Sequence, residues 1–383
     1  MPLFRTPFDN TYRPAYRQVS RVVKGADLLF TCGQLDTDGA GQVQHPGDIT
    51  AQTIRSMTLL FDALRQAGAH AKSLFNLQVF YRNTADFDTA HFMETLNSCL
   101  PTGCSPVVGL IPIQSFPKGV EIEVDAIAHA NGIQHLRSVS TDNVTIASRC
   151  GDFFVAQVSC SDTSQGAFET VFSALQDALA EISVGINDVC KVRFLAPDLG
   201  PRPNATEQIL GERLAAIRPV YTRLPLYRPD AEQRGFDIEV MGISSANGIP
   251  LPRFFGDTAI RCTSAWELPY PDSLQCASMI FVGGQLAPRD ELIRPDQGNP
   301  IEQTRTVMRR IETLLSAYGA TLDDTLKVNA YHQGQSDLQT WTNTVQARCD
   351  FYPSAGPAST GVEVPHVGMD GAALVVDCIA SKD

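Results

Sequence analysis

Apolar residues along the chain alternate between two spacings, one typical of strands and the other typical of helices. Short runs of apolar, β-favouring residues that end in glycine occupy 27–33 and 278–284, and each run predicts a strand. After the first run, Met57, Leu60 and Leu64 follow helical spacing, and Gly68 stands where a helix C-cap glycine belongs. The pattern therefore predicts a strand followed by an amphipathic helix.

The same order of elements continues in three parts of the chain, with a strand, a second helix, a proline-containing loop and a last strand. The predicted ranges are 74–81, 84–96 and 121–128 in the first part, 189–195, 205–217 and 236–243 in the second, and 325–331, 337–350 and 373–380 in the third. Helices that follow strand pairs on one face of a sheet give an α+β layer.

Matching letters at constant spacing indicate an internal repeat. Gln285 follows Gln34 by 251 residues, and the same offset relates Gly319 to Gly68. The middle of the chain is a weaker copy, in which Gly-Phe-Asp-Ile-Glu-Val at 235–240 matches Gly-Val-Glu-Ile-Glu-Val at 119–124 with an offset of 116. The sequence thus predicts three tandem domains, at 1–135, 136–252 and 253–383, joined by polar or Pro/Gly-rich stretches.

One layer of helices covers only one face of its sheet, so the other face needs a partner. Three copies in one chain supply that partner if they close around a pseudo-threefold axis. We therefore expect a monomer that is itself a pseudo-trimer, or a dimer of such pseudo-trimers.

The charge and hydropathy of the chain exclude several classes of partner. A formal net charge of −12 without a Lys/Arg cluster argues against a nucleic-acid surface, which needs cations that displace counterions. No run of 18 or more apolar residues predicts a membrane span, and the start of the chain lacks a signal core, so we expect no membrane partner and a cytoplasmic location. The ten cysteines form no C-x-x-C pair and the seven histidines no metal motif, so we expect free thiols and no metal.

Several motifs together resemble the YjgF/RidA family of enamine/imine deaminases. They are Leu-Phe-Thr-Cys-Gly-Gln-Leu at 29–35, Gln-Thr at 52–53, Val-Gly-Gly-Gln-Leu at 282–286 and Gly-Pro-Ala-Ser-Thr-Gly-Val-Glu-Val at 356–364. The resemblance implies three chorismate-mutase-like/RidA-like domains, each a sheet with two helices, in an intrachain pseudo-trimer with a central barrel. It also implies small-molecule clefts between neighbouring copies and hydrolysis of an enamine or imine without a cofactor.

The same resemblance implies a site built from an arginine and a glutamate. The arginine position falls on Val108 in the first copy, near Arg223 in the second and on Ser359 in the third, while the glutamate position falls on Glu123, Glu239 and Val375. A planar guanidinium suits a carboxylate, and a partly desolvated carboxyl group can move protons. We therefore expect catalytic roles for Arg223, Glu123 and Glu239, with Arg223 sharing a cleft with one of the two acids.

Further candidates would contact the substrate. They are Tyr16, Cys32, Gly33, Gly283, Gly284, Ser359, Thr360 and His366. Each has an ordinary interpretation too, since a cysteine after an apolar strand is commonly a small core residue and a lone histidine is commonly structural.

Three functions besides deaminase chemistry stay open at this point. A ring-opening or chorismatase-like hydrolase would act on a cyclic small molecule, and a non-catalytic protein would only bind one. A ribonuclease, the third possibility, is disfavoured by the net charge.

Overall fold

The chain folds into an α+β architecture of eighteen strands and six α-helices, counted in the described part of a computed structural model. The structure describes residues 4–7, 19–38, 41–116, 119–130, 136–140, 145–197, 199–229, 235–245, 248–256, 266, 268–288, 299–334, 338–352 and 355–382. The candidate Tyr16 lies outside these residues.

The elements have the following bounds. The strands are β1 (Phe4–Pro7), β2 (Ser20–Gly25), β3 (Leu28–Thr31), β4 (Leu74–Arg82), β5 (Val107–Ile113), β6 (Ile122–His129), β7 (Leu136–Ser140), β8 (Thr145–Cys150), β9 (Phe153–Cys160), β10 (Val189–Ala196), β11 (Val220–Pro225), β12 (Phe236–Ile243), β13 (Arg253–Phe255), β14 (Ser273–Cys276), β15 (Met279–Gln285), β16 (Thr325–Gln333), β17 (Ala358–Val364) and β18 (Leu374–Ser381). The helices are α1 (Ile49–Gln66), α2 (Thr89–Cys99), α3 (Gln165–Glu181), α4 (Ala205–Leu214), α5 (Pro300–Ser316) and α6 (Leu338–Cys349).

One strand order recurs three times, and we call the three units repeat 1, repeat 2 and repeat 3. Their sheets have the orders β2-β3-β6-β4-β5, β8-β9-β12-β10-β11 and β14-β15-β18-β16-β17. Within each sheet the last two strands are parallel, and the other neighbours are antiparallel. The predicted central strands, second helices and last strands of all three units are confirmed. The largest difference is in α2, which begins at Thr89 instead of at residue 84.

Local sequence explains where the first helix of a repeat begins and ends. The Asp48 side chain accepts a hydrogen bond from the backbone N–H of Ala51 and so caps α1. Met57, Leu60 and Leu64 face the sheet, and the chain leaves the helix through Gly68 at a positive φ of 81°. In the same way, the Asn299 side chain caps the start of α5, and the chain leaves α5 through Gly319 at a positive φ. The glycines predicted as C-caps are therefore needed for their left-handed backbone.

The predicted proline-containing loops are in large part strands. In each repeat the segment after the second helix forms the parallel edge strand, which is β5, β11 or β17. Small residues dominate β17, and the run Gly356 to Gly361 has the composition of a turn. Strands of this composition cannot be predicted from local sequence, because they form only by pairing with a strand that is distant in the chain.

The three repeats contact one another in a cycle. Repeat 3 meets repeat 1 where Ala358 of β17 pairs with Ser20 of β2. Repeat 1 meets repeat 2 through a hydrogen bond of 3.0 Å from the Tyr227 amide to the Pro112 carbonyl. Repeat 2 meets repeat 3 where Gly283 lies against the Tyr221 backbone, which a Cβ at position 283 would approach to 2.7 Å. The sheet faces without helices therefore cover one another.

The strand pairing differs from the closed central barrel that the resemblance implies. In the described residues, one open sheet has twelve strands and joins repeats 3 and 1, and a second open sheet has six strands and belongs to repeat 2. Only the β17–β2 junction carries a ladder pair between repeats in this part of the chain. At the other two junctions side chains and single backbone contacts replace a ladder, so the sheets do not close.

Buried charges lie between the repeats. Lys327 of repeat 3 pairs with Asp125 of repeat 1 at 2.9 Å, and Lys191 of repeat 2 pairs with Asp377 of repeat 3 at 2.5 Å. The third acid, Glu239 of repeat 2, accepts a hydrogen bond from the Gln78 amide of repeat 1. Each acid is thus contacted by a residue of a neighbouring repeat, and we call these contacts the inter-repeat charge network.

None of the described helices has the length and apolarity needed to cross a membrane. The nine cysteines in the described part of the chain are free thiols, as expected; Cys262 lies outside it.

Candidate active site

The junction between repeats 1 and 3 holds an acid in unusual surroundings. Glu123 of β6 is 6% exposed and accepts a hydrogen bond from the backbone N–H of Gly361 in β17. Its carboxyl group lies directly over Gly33, because a Cβ at position 33 would stand 1.6 Å from Glu123 Oε1. Glycine at position 33 therefore makes room for the acid.

Burial changes the acidity of this carboxyl group. The pKa of Glu123 is raised to about 8, chiefly by desolvation and further by the nearby Asp125. Lys327, Arg348 and the Gly361 hydrogen bond act in the opposite direction but do not outweigh burial. A carboxyl group with such a pKa is mostly protonated at neutral pH and can both give and take a proton.

A small cavity lies beside the acid. Its volume is about 30 Å³, room for about two water molecules. Two acids, Glu123 and Glu363, reach it, and most of the remaining lining is apolar or small. That lining is Leu35, Thr37, Gly41, Val43, Phe116, Val120, Leu338, Trp341 and Gly361. The cavity joins both repeats, and its apolar wall explains the desolvation of Glu123. We call this cavity the repeat 1/3 cleft.

A buried arginine, which the sequence pattern does not single out, lies next to this cleft. Arg348 of α6 is 3% exposed, and its Nη2 donates to the Ser359 hydroxyl at 3.1 Å. Its Nη1 is buried without a hydrogen-bond partner among the described residues. The sequence signal is weak, because a basic residue in the last turn of a helix is common.

Three of the predicted residues, Glu123, Gly33 and Ser359, lie close together at this junction, and of these Glu123 lines the cleft. The Gly33 amide donates to the Ser359 carbonyl at 3.2 Å. Thr360 points to the other side of β17, where its hydroxyl donates to Asp125 at 2.6 Å and accepts from Lys327 at 2.7 Å. Thr360 thus belongs to the inter-repeat charge network.

Cys32 is a buried thiol whose chemistry is unsuited to nucleophilic attack. Burial raises its pKa to about 12, and its sulfur accepts a hydrogen bond from Gln34 Nε2 at 3.0 Å. Because the thiolate is the nucleophile, this cysteine serves packing.

Glu239 does not take the position of Glu123, and this corrects the equivalence that the matching letters suggest. Strand register pairs Asn76 with Ile127 in repeat 1 and Lys191 with Met241 in repeat 2, an offset of 114 in the last strand instead of 116. Glu239 therefore corresponds to Asp125. Its carboxylate is held by Arg193 at 2.9 Å and by Gln78. A shift of two residues keeps the same face of a strand, so the sequence pattern alone cannot reveal it.

Arg223 likewise stands two residues from the expected position. Register aligns Tyr221 with Val108 and Ser359, each two places before the residue that aligns with Arg223. Arg223 is fully buried and binds both carboxylate oxygens of Glu207, at 2.6 and 2.8 Å. Arg223 is thus neutralised by Glu207 within repeat 2. The expected pairing of Arg223 with Glu123 or Glu239 is wrong.

Aromatic side chains fill the junction between repeats 2 and 3. Tyr221 stacks on Tyr270 with ring centroids 4.6 Å apart, and Gly284 faces Trp266 and Val375. Gly283 packs against the Tyr221 backbone. With valine where Glu123 stands in repeat 1, the described residues of this junction present no equivalent acid.

His366 belongs to the same side of the molecule as Arg223. Its Nδ1 accepts a hydrogen bond of 3.2 Å from the Gly368 amide, and a Cβ at Gly368 would lie 3.3 Å from Arg223 Nη1. The histidine therefore shapes the turn that covers Arg223.

The junction between repeats 1 and 2 carries an acid with a partner. Asp237 corresponds in register to Glu123, and Arg228 Nη2 lies 3.4 Å from its carboxylate. Burial raises the pKa of Asp237, while Ser159 and Arg228 lower it. Of the three equivalent positions, only Glu123 holds an acid that no ion pair in the described part of the chain neutralises.

A larger cavity of about 1100 Å³ opens where loops of all three repeats meet. Arg82 and Glu121 in its wall neutralise each other at 3.0 Å. Among the described residues, no three His, Cys, Asp or Glu side chains converge so as to hold a metal ion. The repeat 1/3 cleft is thus the stronger candidate for chemistry.

One known protein family matches both the first and the third repeat of the chain. The family model described as Endoribonuclease L-PSP matches the chain twice, at residues 11–130 and 263–382. A RutC family protein of Pyrococcus abyssi (strain GE5 / Orsay) is 29% identical over 115 residues, which are 30% of this chain and 87% of that protein. The mitochondrial protein mmf2 of Schizosaccharomyces pombe is 31% identical over 111 residues, which are 28% of this chain and 85% of that protein.

A solved chorismatase structure is similar over the greater part of the chain. It covers 81% of this chain and 93% of its own, with a TM-score of 0.55 and 10% sequence identity, and so shows a shared fold. The two family-model matches together span more than half of the residues. The chain therefore belongs to the Endoribonuclease L-PSP family, the family of the YjgF and RidA proteins that its motifs indicate.

Proposed function

We propose that the chain hydrolyses a C–N bond of a small enamine or imine, without a cofactor, in the repeat 1/3 cleft. The observation that carries this proposal is Glu123, a buried acid with a pKa of about 8 and no ion-pair partner among the described residues. A general acid works best when its pKa lies near the working pH.

The reaction needs only proton transfer and one water molecule. Protonated Glu123 gives its proton to the β-carbon of the enamine, which becomes an iminium ion, and the resulting carboxylate then takes a proton from the attacking water. The same carboxyl group returns that proton to the nitrogen. As the C–N bond breaks, the hydroxyl proton of the carbinolamine passes to the Glu123 carboxylate, which restores the protonated acid. One water is consumed, and a carbonyl compound and ammonia are released. Gly33 and the Gly361 amide keep the carboxyl group in place.

We also propose that the three repeats, with boundaries near 135 and 252, form an intrachain pseudo-trimer. The cycle of contacts at Ser20, Tyr227 and Gly283 supports it, as does an apolar core to which all three repeats contribute. That core includes Phe30 and Ile127, Cys190 and Met241, and Phe281 and Ile379. In this arrangement the cleft forms only where repeats 1 and 3 of one chain pack together.

The test is release of ammonia from freshly generated 2-aminoacrylate by the wild type and two variants. Glu123→Gln keeps the shape of the side chain but removes its proton, and it should lower the turnover rate by roughly 10²–10⁴-fold. Asp237→Asn changes the equivalent position of repeat 2. It should leave turnover within about twofold of the wild type, because this acid lies outside the proposed cleft and transfers no proton there. Equal rates for wild type and Glu123→Gln would exclude this acid, and a loss in Asp237→Asn alone would move the site to the other junction.

A hydrolase of a cyclic small molecule is the second candidate. The chorismatase fold extends over all three repeats, whereas the RutC family protein and mmf2 match about one third of the chain. Incubation with chorismate, followed by its loss of ultraviolet absorbance without ammonia release, would favour this candidate over the deaminase.

The same assays distinguish a binding protein and a ribonuclease from an enzyme of small-molecule hydrolysis. Binding without turnover of any substrate would indicate a carrier or sensor. Cleavage of RNA would be unexpected for a chain with a net charge of −12. A cytoplasmic location stays a prediction.

A further inference from the structure

Two cysteines from different repeats form a buried pair. Cys190 of β10 in repeat 2 is 0% exposed, Cys276 of β14 in repeat 3 is 1% exposed, and their thiol groups are hydrogen-bonded to each other. Both side chains belong to the apolar core that the three repeats share. Because a disulfide forms only between cysteines whose side chains point at each other, this contact meets the first requirement for a bond between the two repeats.

Strand register places two thiols together at one of the three junctions between repeats. Cys190 is the extra residue of a bulge in β10, and Cys276 is the last residue of β14, opposite Met279. The equivalent pairs are Phe75 and Cys150 at the repeat 1/2 junction, and Leu326 and Gly25 at the repeat 1/3 junction. At the junction of repeats 1 and 2 a phenylalanine thus takes the place of the second thiol.

A positive charge lies next to Cys276. Arg253 of β13 is the partner of Cys276 in the antiparallel ladder between β13 and β14. The guanidinium of Arg253 donates to the backbone carbonyl of Ile217 at 2.8 Å and to that of Asn187, both in repeat 2. These acceptors are neutral, so the charge still acts on the neighbouring thiol. A cation near a thiol favours the thiolate, which is the form that reacts with oxidants.

The acidity of the thiols agrees with these contacts. The hydrogen bond with Cys190 lowers the pKa of Cys276 and Arg253 lowers it further, while burial and Asp188 act in the opposite direction. Each of the other eight cysteines in the described part of the chain has a raised pKa. Among the described thiols, Cys276 is thus the one most easily converted to a thiolate.

Cys276 lies one strand in from the edge of a sheet. The outermost strand, β13, has three residues, and Phe254 in its middle is 59% exposed. Short elements at an edge open locally at a low cost in free energy. Because Cys276 is paired with a residue of β13, separation of this strand gives a small oxidant access to the thiol.

We propose that Cys276 and Cys190 are a redox site, in which hydrogen peroxide converts the two thiols into a disulfide between repeats 2 and 3. The Cys276 thiolate attacks one oxygen of the peroxide, the O–O bond breaks, and the leaving hydroxide takes the thiol proton as water. Cys276 is then a sulfenic acid. The sulfur of Cys190 attacks the sulfur of Cys276, the S–O bond breaks, and the leaving hydroxide takes the Cys190 proton as a second water. Two thiols are oxidised and one peroxide is reduced to two waters, so no other reactant is needed.

Counting of free thiols by mass spectrometry tests the proposal on the full chain. The protein is treated with hydrogen peroxide and then unfolded in urea with N-ethylmaleimide, which adds once to every free thiol. The reduced wild type should carry ten adducts and the oxidised wild type two fewer, and dithiothreitol should restore the missing two. Cys150→Ser, the matched change at the repeat 1/2 junction, should lose two adducts on oxidation as the wild type does.

Two further variants identify the sulfur atoms. Cys276→Ser should keep all of its adducts after peroxide treatment, because no reactive thiolate is left at the junction. In Cys190→Ser the reaction should stop at the sulfenic acid, so that one adduct is lost and dimedone, which labels sulfenic acids, adds once instead. If Cys190→Ser does not fold, Cys190→Ala keeps the position apolar and must give the same result.

An oxidised wild type that keeps ten adducts would overturn the proposal, as would a loss of two adducts that persists in Cys190→Ser or Cys276→Ser. Dimedone labelling of Cys276→Ser instead of Cys190→Ser would show that Cys190 attacks the peroxide, contrary to the effect expected from Arg253. A covalent dimer on a gel without reductant would show a bond between chains instead of one between repeats.

Discussion

Replacing Glu123 with glutamine should make the protein more stable, and increasingly so as the pH rises. The carboxyl pKa moves from 4.5 to about 8 on folding, chiefly because the group is desolvated. A raised pKa means that the folded state binds more protons than the unfolded chain between these two values. The free energy of unfolding therefore falls with rising pH in this window, by up to about 1.4 kcal/mol per pH unit.

The stabilisation by Glu123→Gln has an upper limit of about 5 kcal/mol. This limit is the pKa change from 4.5 to about 8 multiplied by about 1.4 kcal/mol per pKa unit. Glutamine cannot ionise, and its carbonyl can still accept the Gly361 hydrogen bond. The advantage of Glu123→Gln over the wild type should hence be smallest near pH 4.5, grow up to pH 8 and then level off. Asp125, Lys327 and Arg348 face the same carboxyl group and stay in place in both proteins.

Urea denaturation followed by circular dichroism at pH 5, 6, 7, 8 and 9 measures this advantage. Glu121→Gln is the control, because Glu121 lies two residues earlier on the same face of the sheet and is paired with Arg82 at 3.0 Å. Its loss should cost up to about 1 kcal/mol and give no gain that grows with pH. If wild type and Glu123→Gln gave parallel curves, Glu123 would ionise like an ordinary glutamate and could not be the acid proposed for the cleft.

The remaining predictions concern packing and assembly. Glu207→Gln should lower the free energy of unfolding by about 3–5 kcal/mol in urea denaturation, since Arg223 would be left buried without its carboxylate; a change below about 1 kcal/mol would contradict the buried pair. Gly33→Ala should abolish ammonia release, because its Cβ would overlap Glu123 Oε1, whereas Gly166→Ala, which meets nothing within 4 Å, should retain activity. Light scattering should give a mass of 41.6 kDa or twice that value, and a stable three-chain particle would rule out the intrachain pseudo-trimer.

The sequence predicts the elements of this fold well because they depend on local chemistry. Apolar spacing locates α1, and a glycine with a left-handed backbone ends it. In the predicted strand 121–128, Ile122 and Val124 pack with Met57 of α1, so the alternation of a strand leaves Glu123 on the opposite face. Each of these features is decided within a few residues of the chain, where side-chain spacing and backbone preference act directly.

The site is harder to predict because its parts come from distant segments. Arg348 lies beside the cleft on a helix of repeat 3, and no spacing along the chain connects it with Glu123. In repeat 2 the matching letters around Glu239 suggest the wrong equivalence, since the paired strands are shifted by two residues. Register depends on hydrogen bonds with a partner strand, and a shift of two leaves the inward and outward pattern unchanged.

The inter-repeat charge network makes the fusion of the three repeats hard to undo. Asn76, Lys191 and Lys327 hold the same register position. The two lysines pair with acids of neighbouring repeats, whereas in repeat 1 Gln78 contacts the acid of repeat 2. A homotrimer of repeat 1 would bury three copies of Asp125 with no lysine opposite, and one of repeat 2 would bury Lys191 and Arg193 against a single acid. Neither repeat could form a stable homotrimer without further mutations of these buried residues. With the buried charges divided among the copies, each repeat is complementary to neighbours that differ from itself.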